Sequence, residues 1–140
     1  MTQVERNKEI ATRYFEEFWN KGNTAIVDEL CAPNVHVWFP LGGHFNGREE
    51  VKGIIGPIHE AIEGYHFDMT APLVAEDDTV LCRWHANGVV KKDVGFFPGN
   101  GTEIDFTGVA IYKIVGGQIL EEFTEEDGMK VFQQLGILKL

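Results

Sequence analysis

The chain has 140 residues, the size of one domain, and at that length folding buries roughly 68–70% of the unfolded surface, enough for a core or a lined pocket. A composition of 44% hydrophobic and 24% charged residues, with 11% aromatics, excludes a disordered chain. Twelve Lys and Arg against 22 Asp and Glu leave a formal charge of -10 with no basic run, so nucleic acid and anionic membrane surfaces are not expected as partners.

Cys31 and Cys82 are too few for a disulfide scaffold and are expected reduced, as small apolar residues. The charged start Met1–Lys8 leads into an amphipathic pattern rather than an apolar leader, and no window approaches the ~20 apolar residues that span a bilayer. A cytoplasmic protein is the expectation.

Residues 3–20 carry Ile10, Ala11, Tyr14, Phe15, Phe18 and Trp19 at steps of three and four, which predicts a helix with one aromatic face. Gly22 stops it, and Asn23 or Thr24 caps a second short helix that runs to Leu30 or Cys31 and is closed by Pro33. From Asn34 the period becomes two, with Val35, Val37 and Phe39 opposite His36 and Trp38, a strand ending at Pro40–Gly43. An extended piece at His44–Phe45 precedes Asn46, the predicted cap of a third helix with stripe Val51, Ile54, Ile55, Ile58 and Ile62, which Pro57 should bend or split. Strands are predicted at 65–76, 79–92, 102–115 and 118–125, with turns at Asp77-Asp78 and Gly116-Gly117, then a last helix over Asp127–Leu135.

This order predicts a single α+β domain over residues 1–140. A curved antiparallel sheet wraps the N-terminal helices as a cone with an internal pocket, and a short C-terminal helix follows. Phe15, Trp19, Trp38, Phe67, Trp84, Phe106 and Phe123 are candidates to line the pocket for a small hydrophobic ligand, with His36 beside them; aromatic stripes are also ordinary core material.

The chain has no phosphate loop, dinucleotide fingerprint, C-x-x-C or nucleophile elbow. Its histidines, His36, His44, His59, His66 and His85, lack paired i,i+4 spacing, so no metal is expected. Acid–base chemistry remains. Gly117–Gly128 holds five carboxylates within seven residues, Glu121 to Asp127. Period-two alternation sets Glu121, Phe123 and Glu125 on one face and Glu122 and Thr124 on the other. Asp127 sits at the strand–helix junction, where it could aim into the cone as an acid–base group or simply cap the helix.

The run Gly117-Gln118-Ile119-Leu120-Glu121-Glu122-Phe123, followed by Asp127 and Gln134-Leu135-Gly136, resembles the SnoaL-like polyketide cyclase family, with Phe123 in place of the usual Trp. Asn46-Gly47-Arg48-Glu49-Glu50, Val80-Leu81-Cys82-Arg83-Trp84, Phe97-Pro98 and Phe106-Thr107-Gly108 add to the likeness. The resemblance implies the cone fold shared with ketosteroid isomerase and nuclear transport factor two. It also implies aldol or enolate chemistry of cyclase, isomerase or lyase type without metal or organic cofactor, and a homodimer.

The family's acid–base Asp corresponds to Asp127. Its strand histidine has no counterpart in residues 86–140, and His85 on the neighbouring strand is the candidate to stand in. Tyr14 matches the helix-one Tyr of ketosteroid isomerase. That enzyme's base position falls on Phe39 and its oxyanion-hole Asp near Ala110, so steroid isomerisation by its mechanism is excluded; Arg83-Trp84-His85 likewise lacks the acid of an epoxide hydrolase strand. A non-catalytic ligand-binding or dimerisation module on the same scaffold is the alternative. Val109, Ile111 and Val115 give the only sequence hint of a dimer face.

Overall fold

Thr2 starts the first helix, α1 (Gln3–Tyr14), by a reciprocal cap: its hydroxyl accepts from Glu5 N, and the Glu5 carboxylate accepts from Thr2 N. The structure, a computed structural model, describes residues 1–139. Helical structure continues to Asn20 as expected, but Phe15–Asn20 form a π-helical turn, a wider winding that recurs at functional sites. After Gly22 come α2 (Ala25–Leu30) and β1 (Cys31–Phe39), which begins before Asn34 and tolerates Pro33 near its start.

β1 turns back into β2 (Gly43–Asn46), and α3 (Gly47–Ala61) buries Val51, Ile54 and Ile55. α3 runs through Pro57 without a break, although Pro57 has no N–H to offer the Gly53 carbonyl. Asn46 does not cap it through its side chain; the Glu50 carboxylate accepts from Asn46 N instead, at 3.0 Å. The remaining elements are β3 (Ile62–Met69), β4 (Val74–Glu76), β5 (Thr79–Val90), β6 (Thr102–Val115), β7 (Gln118–Glu126) and α4 (Gly128–Gln134). The single strand expected over 65–76 is therefore two. Pro72 lies in the break, where a missing N–H and a fixed φ do not suit a paired strand.

The strand order is β2-β1-β7-β6-β5-β3, with β4 pairing β5. The expected antiparallel sheet is in fact mixed, because β1 runs parallel to β7 from Cys31↔Ile119 to Trp38↔Phe123. Parallel neighbours require a crossover, and here the connection comprises β2 through β6. No local pattern could reveal that pairing.

The helices cover one face of the sheet. Under them lie Val80, Cys82, Trp84 and Ala86 of β5 with Ile104, Phe106, Ala110, Tyr112 and Ile114 of β6, all buried. Trp84 packs directly on Gly108: a Cβ there would stand 2.3 Å from Trp84 Cζ2, so the indole needs the glycine opposite it. The other face carries Leu81, Ile111, Val115 and Phe123, each more than a third exposed.

Candidate functional site

Between the helix-covered face of the sheet, α3 and the 94–97 turn lies a cavity of about 300 Å³. The turn is a miniature hairpin with a Val94↔Phe97 bridge; Phe97 is buried and Phe96 stands 73% exposed at the cavity wall. Phe15, Trp19, Phe67, Trp84 and Phe106 line the cavity, together with Phe39, Tyr65 and Tyr112. The π-helical turn places Phe15 and Trp19 on the same buried side of the chain, with Trp19 Nε1 pointing at the sheet.

Among the described residues only two carboxylic acids enter this apolar wall, Glu122 and Glu126, both from β7, where Thr124 lies between them. The Lys113/Ile114 register shift between β6 and β7 sets the phase in which Glu122 faces inward after buried Ile119. Glu122 is 2% exposed. It accepts from the Tyr14 hydroxyl at 2.9 Å and from Trp19 Nε1 at 3.0 Å. Burial pushes its carboxyl up to about 7, while these donors and the nearby Tyr112 phenol pull the other way. The Tyr112 hydroxyl itself forms no hydrogen bond of good geometry, and acts on the Glu122 charge by proximity.

Glu126 differs in having nothing to hold it. Its Oε2 is buried and unpartnered, and burial, then the charges of Glu122 and Glu125, push it up to about 8. Among the described residues the Tyr112 hydroxyl and Glu126 Oε2 are the only buried side-chain polar atoms without a partner, and both residues line the cavity. Buried polar groups are almost always paired, so both atoms carry hydrogen-bonding capacity that the protein itself does not use.

Other candidates read from sequence fall elsewhere. Tyr14 is fully buried behind the cavity and reaches it through Glu122. Asp127 is exposed outside the cavity; its carboxylate accepts from Lys130 N at 3.1 Å and caps α4. His85 lies on the opposite face of β5, its Nε2 3.0 Å from Asp105 Oδ2, and this contact holds the Asp105 carboxyl below its ordinary value. His36, Trp38 and Phe123 are on the outer face too. There His36 stacks on His44 with ring centres 5.1 Å apart, and Phe123 meets the edges of His36 and Trp38.

Sequence reasoning passed over Glu122, Glu126 and Tyr112. The available signal was the alternation that sets Glu122 and Thr124 on one strand face. Among the described residues no three His, Cys, Asp or Glu side chains converge as a metal site.

The fold and site define an α+β cone protein with carboxyl groups set into an aromatic cavity. A family model described as SnoaL-like polyketide cyclase matches residues 9–135, and the chain belongs to that family. A SnoaL-like polyketide cyclase structure from Jannaschia is similar at 18% identity and TM-score 0.86, covering 99% of this chain and 98% of that one. A polyketide cyclase structure from Acidithiobacillus ferrooxidans is 27% identical with TM-score 0.74, covering 99% of this chain and 100% of that one. An NTF2-like protein from Burkholderia thailandensis, 19% identical with TM-score 0.76, covers 91% and 95%. No curated protein matches in sequence.

Proposed function

We propose that the protein is an acid–base enzyme, of cyclase, isomerase or lyase type, acting on a small hydrophobic carbonyl compound without a cofactor. Glu126 is the proton-transfer group and Tyr112 the donor to a carbonyl oxygen. The observation that carries this reading is the pair of unpartnered buried atoms, Tyr112 hydroxyl and Glu126 Oε2, in one aromatic cavity. A carboxyl lifted to about 8 is protonated at neutral pH and able to donate, and it accepts once ionised. A pKa near the working pH is what general acid–base catalysis needs. An un-ionised Tyr112, pushed well above its ordinary value by burial and the Glu122 charge, remains a donor throughout. Family membership supports the reaction class.

The test needs no knowledge of the natural substrate. Base-assisted enolisation is read by deuterium uptake beside the carbonyl of 1-tetralone in heavy water, followed by proton NMR. The wild type should accelerate uptake over buffer, and Glu126→Gln should lose on the order of 10²-fold of that acceleration. Equal rates in the two proteins refute the assignment, and uptake no faster than buffer with saturable tetralone binding favours a binding module.

We propose also that a second copy covers the outer sheet face. Val74, Leu81, Ile111, Phe123 and Trp38 form one cross-strand row over the sheet. Arg83 and Lys113 share that face with Glu121 and Glu125, charges of both signs that a two-fold axis can pair. Sedimentation equilibrium should give a dimer, and Ile111→Lys a monomer.

A further inference from the structure

We propose that the cavity binds hydrophobic organic monocations, tertiary or quaternary amines, held between the aromatic walls and the Glu122/Glu126 carboxyls. The first ground is charge. Two acids line the cavity, and among the described residues no Lys, Arg or His does. Glu122 is anchored by two donors that carry no charge, so its carboxylate is solvated by hydrogen bonds but not neutralised. Buried carboxylates are normally paired; the missing counter-charge must be a proton or a cation brought by the ligand. Glu126 offers the direct contact, since its Oε2 meets no protein donor. A ligand anion would find no cationic side chain in this wall, and the carboxylates repel it once ionised.

The second ground is the shape of the aromatic wall. Phe39, Trp19, Phe67, Trp84 and Phe106 form a continuous chain of rings. Trp19 meets Phe39 at 86° and Phe67 at 65°, Phe67 meets Trp84 at 77°, and Trp84 meets Phe106 at 84°. Successive rings set edge to face turn aromatic surface to the cavity from several elements rather than as a flat stack, and aromatic rings attract alkylammonium groups through their negative faces. Trp19 also donates its indole N–H to Glu122, which raises the electron density of that ring. The third ground is the approach: a chain with formal charge -10 draws cations and repels anions at long range.

This inference does not need proton transfer and stands apart from the enzymatic reading. Its test compares phenyltrimethylammonium with tert-butylbenzene, its uncharged isostere, by amide chemical-shift titration at pH 8. The cation should bind at least tenfold tighter than the isostere, with shifts at Trp19, Phe67 and Trp84. In Glu126→Gln the preference should fall at least threefold. In Phe67→Leu, which keeps an apolar wall but removes one ring, cation affinity should fall while that of the isostere holds. Equal affinity for the two isosteres in the wild type overturns the proposal. So does a cation preference undiminished in both variants, which would mean binding on the acidic surface. Cation binding without ketone exchange overturns only the enzymatic reading; exchange without cation preference overturns only this one.

Discussion

Replacing Glu126 by Gln should make the protein more stable, and increasingly so as the pH rises. The ordinary value of the carboxyl is 4.5, and burial with the charges of Glu122 and Glu125 lifts it to about 8 in the folded chain. The folded state therefore keeps a proton that the unfolded chain releases. Stability is complete below about pH 4.5, declines as the pH climbs and levels off above about 8. At about 1.4 kcal/mol for each pH unit between the two values, ionised Glu126 costs the folded state up to ~5 kcal/mol. That is a large part of the ~5–15 kcal/mol that holds a domain together.

Glutamine keeps the shape and removes the titration. Glu122 is present in both proteins, so its own contribution to the slope largely cancels in the comparison. Urea unfolding at about pH 5, 7 and 9 measures the difference. Wild type and Glu126→Gln should be nearly equal at the lowest pH, with the variant ahead by several kcal/mol at the highest. A gap that stays constant across the three would mean that Glu126 is an ordinary solvated carboxylate, and the acid–base assignment would fall with it.

Tyr14→Phe removes the 2.9 Å donor from the Glu122 carboxylate. It should cost ~1.5–3 kcal/mol where Glu122 is ionised and less at about pH 5, with the Glu122 carbon-13 titration moving upward. Asp127→Ala should lower stability by ~0.5–2 kcal/mol through the lost α4 cap, seen as a lower melting temperature, and leave tetralone exchange at the wild-type rate. Phe96→Ala should change stability by no more than ~0.5 kcal/mol because the ring is largely exposed. It should weaken tetralone binding in an NMR titration, since that ring also borders the cavity.

Much of the architecture follows from local pattern. The aromatic periodicity of residues 3–20 is enough to call for a helix with Tyr14, Phe15, Phe18 and Trp19 on its buried side, and those residues are buried. Alternation in 79–92 and 102–115 likewise specifies long strands, and the Gly116-Gly117 turn sets the β6–β7 hairpin, both glycines at positive φ. The pocket aromatics on α1's extension, β3, β5 and β6 were legible for the same reason.

The two faces of β7 were not. Alternation separates Glu122 and Thr124 from Phe123, but hydrophobicity alone favours the face with the phenylalanine as the inner one. The structure turns Phe123 outward to Trp38 and buries Glu122 against Tyr14, a contact across 108 positions of sequence. Only the parallel pairing of β1 with β7, the bulge between β6 and β7 and the wider winding at Trp19 decide which carboxylates leave water. A carboxyl's pKa depends on that removal from water and on the partners brought to it, so sequence supplied the acids and tertiary structure chose Glu122 and Glu126 among them.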